Sequence, residues 1–273
     1  MSTGSGTKRH IFITGGASGI GRAVAIYFAA RGWFITVTDV NATGLEETLA
    51  LIEGDAKHSH QLDVRDRDAW DVALNSANHA AGGRIDVMFN NAGIGTGGAI
   101  AQLEKAEIDA CLDINLRGVL YGAQAVYPYL QKTAPSSALV NTASAAGITG
   151  GSGMSVYSAT KFAVRGIAES LDAEWAPDGI KVSSICPSFI ETPLLDGTGH
   201  RGENEQIRNR VLEAGLEITP VEEVAKTVWD AVHGDDVHYL VGKTAKRINF
   251  AKRWMPGRVR KQQRDASSLL GGN

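Results

Sequence analysis

The stretch His10-Ile11-Phe12-Ile13-Thr14-Gly15-Gly16-Ala17-Ser18-Gly19-Ile20-Gly21 decides how the rest of the chain is read. It begins as a short apolar run rich in β-branched residues, the pattern of a buried strand. The run ends in a glycine cluster, and over residues 20–31 the apolar positions recur at helical spacing. Glycine adopts backbone angles closed to other residues and lets a chain approach a ligand closely. A helix starting at such a turn offers free amides and the positive end of its dipole, which suits a pyrophosphate. A glycine cluster alone could be a plain tight turn. Its place between strand and helix makes Gly15, Ser18, Gly19, Ile20 and Gly21 candidate cofactor contacts.

Outward from this unit the alternation continues. Strands are predicted over residues 34–38, 58–62, 85–89, 138–142, 181–185 and 239–241. Helices are predicted over residues 45–52, 69–81, 104–131 and 156–174. Such alternation needs crossover connections, so the expected class is α/β. The architecture would be a single Rossmann-type doubly wound parallel sheet of about seven strands, with helices on both faces. Residues 1–242 contain no linker-like break and read as one cofactor-binding and catalytic domain. Within them, residues 194–217 carry glycines and charges and read as a substrate-loop insertion. Residues 243–264 hold nine of the 27 Lys and Arg and none of the 30 acids, so residues 243–273 read as a basic C-terminal extension.

Bulk properties narrow the function. A net charge of −3 leaves no nucleic-acid footprint on the molecule as a whole. Cys111 and Cys186 make no disulfide framework and lie in no metal-ligand spacing, so no metal is expected and a reducing, cytoplasmic setting fits. The first ten residues lack the apolar stretch of a signal peptide. No apolar run approaches the roughly 18 residues a membrane span requires.

Asp39 closes the second predicted strand, where a carboxylate can accept hydrogen bonds from ribose hydroxyls and would repel a 2′-phosphate. NAD is therefore expected over NADP. Capping the helix after Asn41 is the other role open to Asp39. Asp63 and Val64 follow the third strand, and Asn90-Asn91-Ala92-Gly93 follow the fourth, at the sheet edge where ligands bind in such folds. Asp63 would bind an adenine amine or cap the next helix. The Asn-Asn-Ala-Gly turn would touch the cofactor or satisfy buried backbone groups that shape its cleft.

Tyr157 and Lys161 are four apart in a predicted helix and share one face; Ser144 ends the fifth strand at the same edge. With residues 14–21, 90–93 and Asn115, in this order and spacing, the chain resembles the short-chain dehydrogenase/reductase family from His10 to about Leu240. The resemblance implies a catalytic set of Asn115, Ser144, Tyr157 and Lys161. A phenol with pKa near 10 is a poor base at neutral pH, and lowering it by about 3 units needs roughly 4 kcal/mol. The Lys161 ammonium and an oxidised nicotinamide would both favour phenolate. Tyr157 would then serve as general base or acid, and Ser144 would hydrogen-bond the substrate oxygen. By resemblance, Lys161 would also hold the ribose, and Asn115 would bind a water linking Lys161 to solvent.

After the sixth strand come Pro187-Ser188-Phe189-Ile190-Glu191-Thr192-Pro193. The family usually has glycine where Ser188 stands, which puts the backbone contacts there in question. By resemblance, Pro187, Ile190 and Thr192 would orient the nicotinamide. Ile94, Gly95, Ile148, Met154, Phe189 and Leu194 are expected on the substrate side, although Met154 and Phe189 could equally be core. They are mostly apolar and include no Arg or Lys, so an uncharged, hydrophobic secondary alcohol or ketone is the expected substrate. The resemblance also implies a homo-oligomer, a tetramer or dimer, formed through the helices near residues 104–131 and 156–174. The basic extension would be a solvated helix, a lid, or an amphipathic helix on an anionic surface. A cofactor-sensing regulator without chemistry is the competing reading. All four catalytic positions being present weighs against it.

Overall fold

The computed structural model describes residues 8–197 and 206–270. Seven strands form one parallel sheet: β1 (His10–Thr14), β2 (Phe34–Asp39), β3 (Lys57–Gln61), β4 (Val87–Asn90), β5 (Ala138–Thr142), β6 (Lys181–Pro187) and β7 (His238–Val241). Their spatial order is β3-β2-β1-β4-β5-β6-β7. The chain works outward from β1 to β3, then returns to place β4 on the other side of β1. That reversal opens a crevice at the carboxyl ends of β1 and β4, where doubly wound sheets bind dinucleotides. Pairing of Thr14 with Thr38, and of Asn90 with Asn141, brings the strand ends level along that rim.

Alternation along the strands sorts two cores. Ile11 and Ile13 of β1 face α1 (Gly19–Ala29) and α8 (Val221–His233), packing with Val24, Phe28 and Val228. Phe12, between them, faces the opposite layer with Trp70 of α3 (Arg67–Ala80) and with Val126 and Leu130 of α5 (Gly118–Thr133). Ala168 and Trp175 of α6 (Ser155–Trp175) complete that layer. Because both faces are covered, central strands carry apolar residues on both sides rather than alternating strictly with polar ones. Burying one such large side chain contributes about 1.5–3 kcal/mol before entropy is counted. Where α1 meets α8, Phe28, Trp33 and Trp229 stack edge to face, with ring centres 5.1–5.9 Å apart.

Two predicted features need correction. The helix expected over residues 104–131 is two helices, α4 (Lys105–Leu112) and α5, joined by a π turn at Asp113–Arg117. Apolar spacing cannot register one extra residue in a turn, and that residue re-aims Asn115 into the interior, where it is fully buried. Residues 221–233 received no predicted element, yet α8 is strongly amphipathic, burying Val224, Ala225, Val228, Ala231 and Val232. Pro220 before it, and Glu222 and Glu223 in its first turn, were the available signals. Among the shorter elements, α2 (Ala42–Ala50) follows β2 and α7 (Ile207–Glu213) follows β6. Beyond β7 the chain continues as α9 (Gly242–Trp254) and α10 (Pro256–Leu270). Part of the expected 194–217 insertion, residues 198–205, lies outside the described residues, as do residues 1–7 and 271–273. Among the described residues no helix is long and apolar enough to cross a membrane.

Candidate active site

The glycine loop is built by close backbone approach. Gly15 has φ +66°, and a Cβ there would lie 2.9 Å from the Ala92 Cα. A Cβ on Gly21 would stand 2.1 Å from the Gly15 carbonyl oxygen, so α1 can reach the loop only without one. Ser18 precedes α1 in extended conformation, with no side-chain bond to the helix's first amides and no acid in its first turn. These amides and the glycine cradle fit a dinucleotide pyrophosphate.

Asp39 sits beside this loop, its carboxylate accepting from the Ala17 amide at 3.2 Å and the Asn41 amide at 3.0 Å. The cap of α2 is Asn41, which accepts from Gly44 at 3.0 Å, so the capping alternative for Asp39 is removed. Arg22, the cation directly after the glycine loop, is committed to the Glu47 carboxylate at 2.8 Å and the Thr48 hydroxyl at 2.9 Å.

Asp63 does not cap α3 either; Asp66 does, accepting from Asp68 and Ala69. The Arg65 guanidinium grips the Asp63 carboxylate, at 2.6 Å in its closest contact, and holds its carboxyl below the usual range. Val64 is buried; its carbonyl accepts from the Trp70 indole at 3.0 Å. Asn91 spends its side chain inside the protein. Its amide donates to the Thr14 and Gly15 carbonyls at 3.0 and 3.3 Å, and its oxygen accepts from the Thr142 hydroxyl at 3.2 Å. It staples the ends of β1, β4 and β5, the role of shaping the cleft rather than reaching into it. The Thr14 hydroxyl accepts from both the Asn91 and Ala92 amides at 3.0 Å.

The chemical groups converge next to this staple. Ser144, just past β5, stands beside the Tyr157 hydroxyl and favours its ionised form, while its own Oγ donates to the Pro187 carbonyl at 3.5 Å. Its Oγ also accepts from the Ala146 amide at 3.1 Å, which fixes its direction. One helical turn beyond Tyr157, the Lys161 ammonium lies 5.5 Å from the Tyr157 ring centre and donates to the Thr142 carbonyl at 2.9 Å. Asn115 clamps the Ile94 main chain with its side chain, accepting from the amide and donating to the carbonyl, both at 2.8 Å. Gly93 joins the groups. A Cβ there would be 3.2 Å from Asn115 Oδ1 and 3.6 Å from Lys161 Nζ.

Burial sets the titration of this pair. It pulls the Lys161 ammonium down to about 8. It also pushes the Tyr157 phenol up, with the neighbouring Ser144 hydroxyl opposing. The expectation of a phenol lowered by Lys161 is thus not met by the protein alone. The ammonium stands off the ring and directs a proton at Thr142, so desolvation wins.

Comparison with known proteins bears on this geometry. The model of the short chain dehydrogenase family matches residues 9–202. The chain belongs to that family. This dehydrogenase is 36% identical over 219 residues to levodione reductase from Leifsonia aquatica, covering 78% of this chain and 81% of that protein. It is 32% identical over 239 residues to a 3-oxoacyl-[acyl-carrier-protein] reductase from Thermotoga maritima, covering 85% and 92%. Among solved structures, a short chain dehydrogenase/reductase from Burkholderia phymatum, in complex with NAD, superposes with TM-score 0.81 at 25% identity, covering 94% and 95%.

The dehydrogenase's remaining sequence candidates fall on two sides of the cleft. Pro187 ends β6 and Ile190 is buried, bridged to Thr219. Thr192 closes over the glycine loop; a Cβ on Gly19 would be 3.3 Å from its methyl. Ser188 turns its hydroxyl to the Val241 carbonyl of β7 at 3.4 Å, so the departure from glycine is absorbed by the sheet. Ile94 and Leu194 are exposed, Gly95 lies against Leu194, and Met154 and Phe189 are half-buried. Ile148 is corrected: it is buried in a cluster with Val119, Ala143, Val164 and Cys186, not on an open wall. Sequence reading missed Thr14 and Thr142, whose signal was a threonine ending a strand at the rim. It also missed Arg208, which ties α7 to Glu191 at 2.8 Å and Asp196 at 3.0 Å.

Proposed function

We propose that this dehydrogenase moves a hydride between NAD(H) and an uncharged, largely apolar secondary alcohol or ketone. The observation that carries the reading is the Tyr157 phenol, beside Ser144 and backed by the buried Lys161 ammonium, at the edge of the cleft that the glycine loop lines. Gly15, Ser18, Gly19, Ile20 and Gly21 would hold the pyrophosphate, and Asp39 the adenosine ribose. Ala92, Gly93, Ile190 and Thr192 would flank the nicotinamide. When bound, the nicotinamide supplies the hydride donor or acceptor and, oxidised, a positive charge that lowers the phenol's affinity for its proton.

The chain's own groups handle the oxygen and its proton. Tyr157 takes the hydroxyl proton at its phenol oxygen in oxidation and returns one in reduction. Ser144 Oγ steadies the substrate oxygen as charge builds on it. Lys161, protonated at neutral pH with a pKa of about 8, favours phenolate over phenol. Asn115, by fixing the Ile94 main chain, keeps Gly93 open above Lys161.

NAD is supported by Asp39 at the loop and by Arg22 being committed to Glu47 and Thr48, which leaves a 2′-phosphate facing a carboxylate. NADP-dependent reduction is the second reading, and it requires that repulsion to be offset. Exposed Ile94 and Leu194 support an apolar substrate. The exposed apolar faces of α5 and α6, with Leu120 and Phe162, support pairing with a second copy.

The test is a turnover screen of neutral secondary alcohols and ketones beside Tyr157→Phe, with NADH and NADPH titrated separately by fluorescence. We expect NADH to bind more tightly, and the variant to lose at least about 100-fold in kcat while keeping NADH affinity. Unchanged turnover in the variant removes the proton-transfer role. Tighter NADPH reverses the cofactor choice, and a preference for carboxylate substrates overturns the substrate class.

A further inference from the structure

The basic extension leaves β7, an edge strand, and continues as α9 and α10. Helix α9 is seated on one face: Thr244 and Ala245 are buried, and Ile248 packs against the Ile148 cluster. At 100° per residue the opposite face carries Lys243, Lys246, Arg247, Phe250, Arg253 and Trp254. Phe250 and Trp254, one turn apart, are 60% and 65% exposed. Among the described residues no packing explains two large aromatics standing side by side in water. Arg253 leans over the Trp254 ring at 5.5 Å.

Helix α10 adds Arg258, Arg260, Lys261 and Arg264, all exposed. It is held in place by Gln263, which donates to the Thr149 hydroxyl at 3.0 Å and to the Gly150 carbonyl. Of the nine cations over residues 243–264, Lys243 alone forms an ion pair among the described residues, with Glu217 at 3.4 Å. Among the described residues the tail therefore presents a fixed platform of cations, of which only Lys243 and Arg247 act on a carboxylate, that of Glu217, with an aromatic pair among them.

We propose that this platform docks the protein on an anionic lipid surface. Aromatic rings settle at the headgroup level of a bilayer while flanking Lys and Arg meet anionic headgroups. A helix with this division lies in the interface plane rather than crossing it. Nucleic acid is the weaker fit. Single strands are held in a groove with stacking platforms, whereas α9 is a convex surface helix. A strand running on from the tail would also meet the acid-rich remainder of the molecule, which a surface touching the tail alone avoids.

The experiment is flotation of the full chain with phosphatidylcholine vesicles, with and without phosphatidylserine, at low and high salt. We expect binding to the phosphatidylserine vesicles alone, lost at high salt. Lys246→Glu with Arg253→Glu should weaken it about tenfold or more, and Phe250→Ser with Trp254→Ser comparably. Both double variants should keep wild-type melting temperature and oxidoreductase turnover, which separates a surface role from a folding or catalytic one. No binding at low salt, equal binding to both vesicle types, or binding unaltered in both variants overturns the proposal. So does displacement from vesicles by a single-stranded oligonucleotide at lower concentration than by soluble phosphoserine. An oligomer that dissociates in the Lys246→Glu, Arg253→Glu protein would assign the platform to a second copy instead.

Discussion

Lys161 is 4% exposed and carries its charge at a cost, which is why its ammonium titrates near 8 rather than 10.5. The sign of the consequence follows from proton counting. Between about pH 8 and 10.5 the unfolded lysine holds a proton that the folded one has lost, so stability rises with pH across that window. The wild type should gain up to about 3 kcal/mol there relative to Lys161→Met, read as unfolding free energy from denaturant titrations. A flat difference between the two proteins would deny the burial cost. Turnover should be lost in Lys161→Met throughout. The residue is thus placed for chemistry against its contribution to folding, a combination that points to function.

At the scale of elements, the sheet is tied by short polar links between strand ends, and β1 carries them at both of its ends. His10 opens β1 fully buried, with Nδ1–H donating to the Arg84 carbonyl at 2.7 Å and Nε2 accepting from the Thr36 hydroxyl at 2.8 Å. Burial holds it neutral, with a pKa of about 4. As pH falls from 6.5 to 4 the unfolded imidazole takes a proton that the folded one refuses, so stability is lost on acidification. We expect His10→Gln to be less stable at pH 7 but to lose about 3 kcal/mol less between pH 6.5 and 4. Parallel acid limbs would exclude His10 as the source. At the other end of β1, Gly21→Ala would press a Cβ against the Gly15 carbonyl. It should cost about 1–3 kcal/mol in stability and abolish NADH binding, measured by thermal melting and fluorescence titration.

For the whole molecule, two cores back one sheet, and each helix layer has an outward face as well. Between α5 and α6 lies a groove of about 550 Å³ lined by Leu120, Tyr121, Tyr127, Leu171 and Trp175. Leu120 and Phe162 are 45% and 43% exposed on these helices. A second copy laid across this face would cover both helices at once and make an isologous interface. Sedimentation velocity should find a dimer or tetramer, and Leu120→Glu should shift it toward monomer. A monomeric wild type would leave the groove without that occupant.

The α/β class and most of the elements were legible in the chain itself, because buried parallel strands and one-sided helices impose different apolar periods. The four chemical groups entered through the resemblance that the order and spacing of several motifs carry, since a Tyr and a Lys four apart mean little by themselves. The π turn, by contrast, goes with Asn115 bonding the Ile94 main chain, a contact across 21 residues that no local pattern records. A capping role was open to Asp39 as the lesser alternative and to Asp63 on even terms, and only folding shows that Asn41 and Asp66 cap those helices. Ile148 read as an open apolar residue because hydrophobicity does not tell a core wall from a cleft wall. Whether the phenol is lowered or raised was likewise beyond the chain, since it depends on how burial competes with a charge whose distance only packing defines.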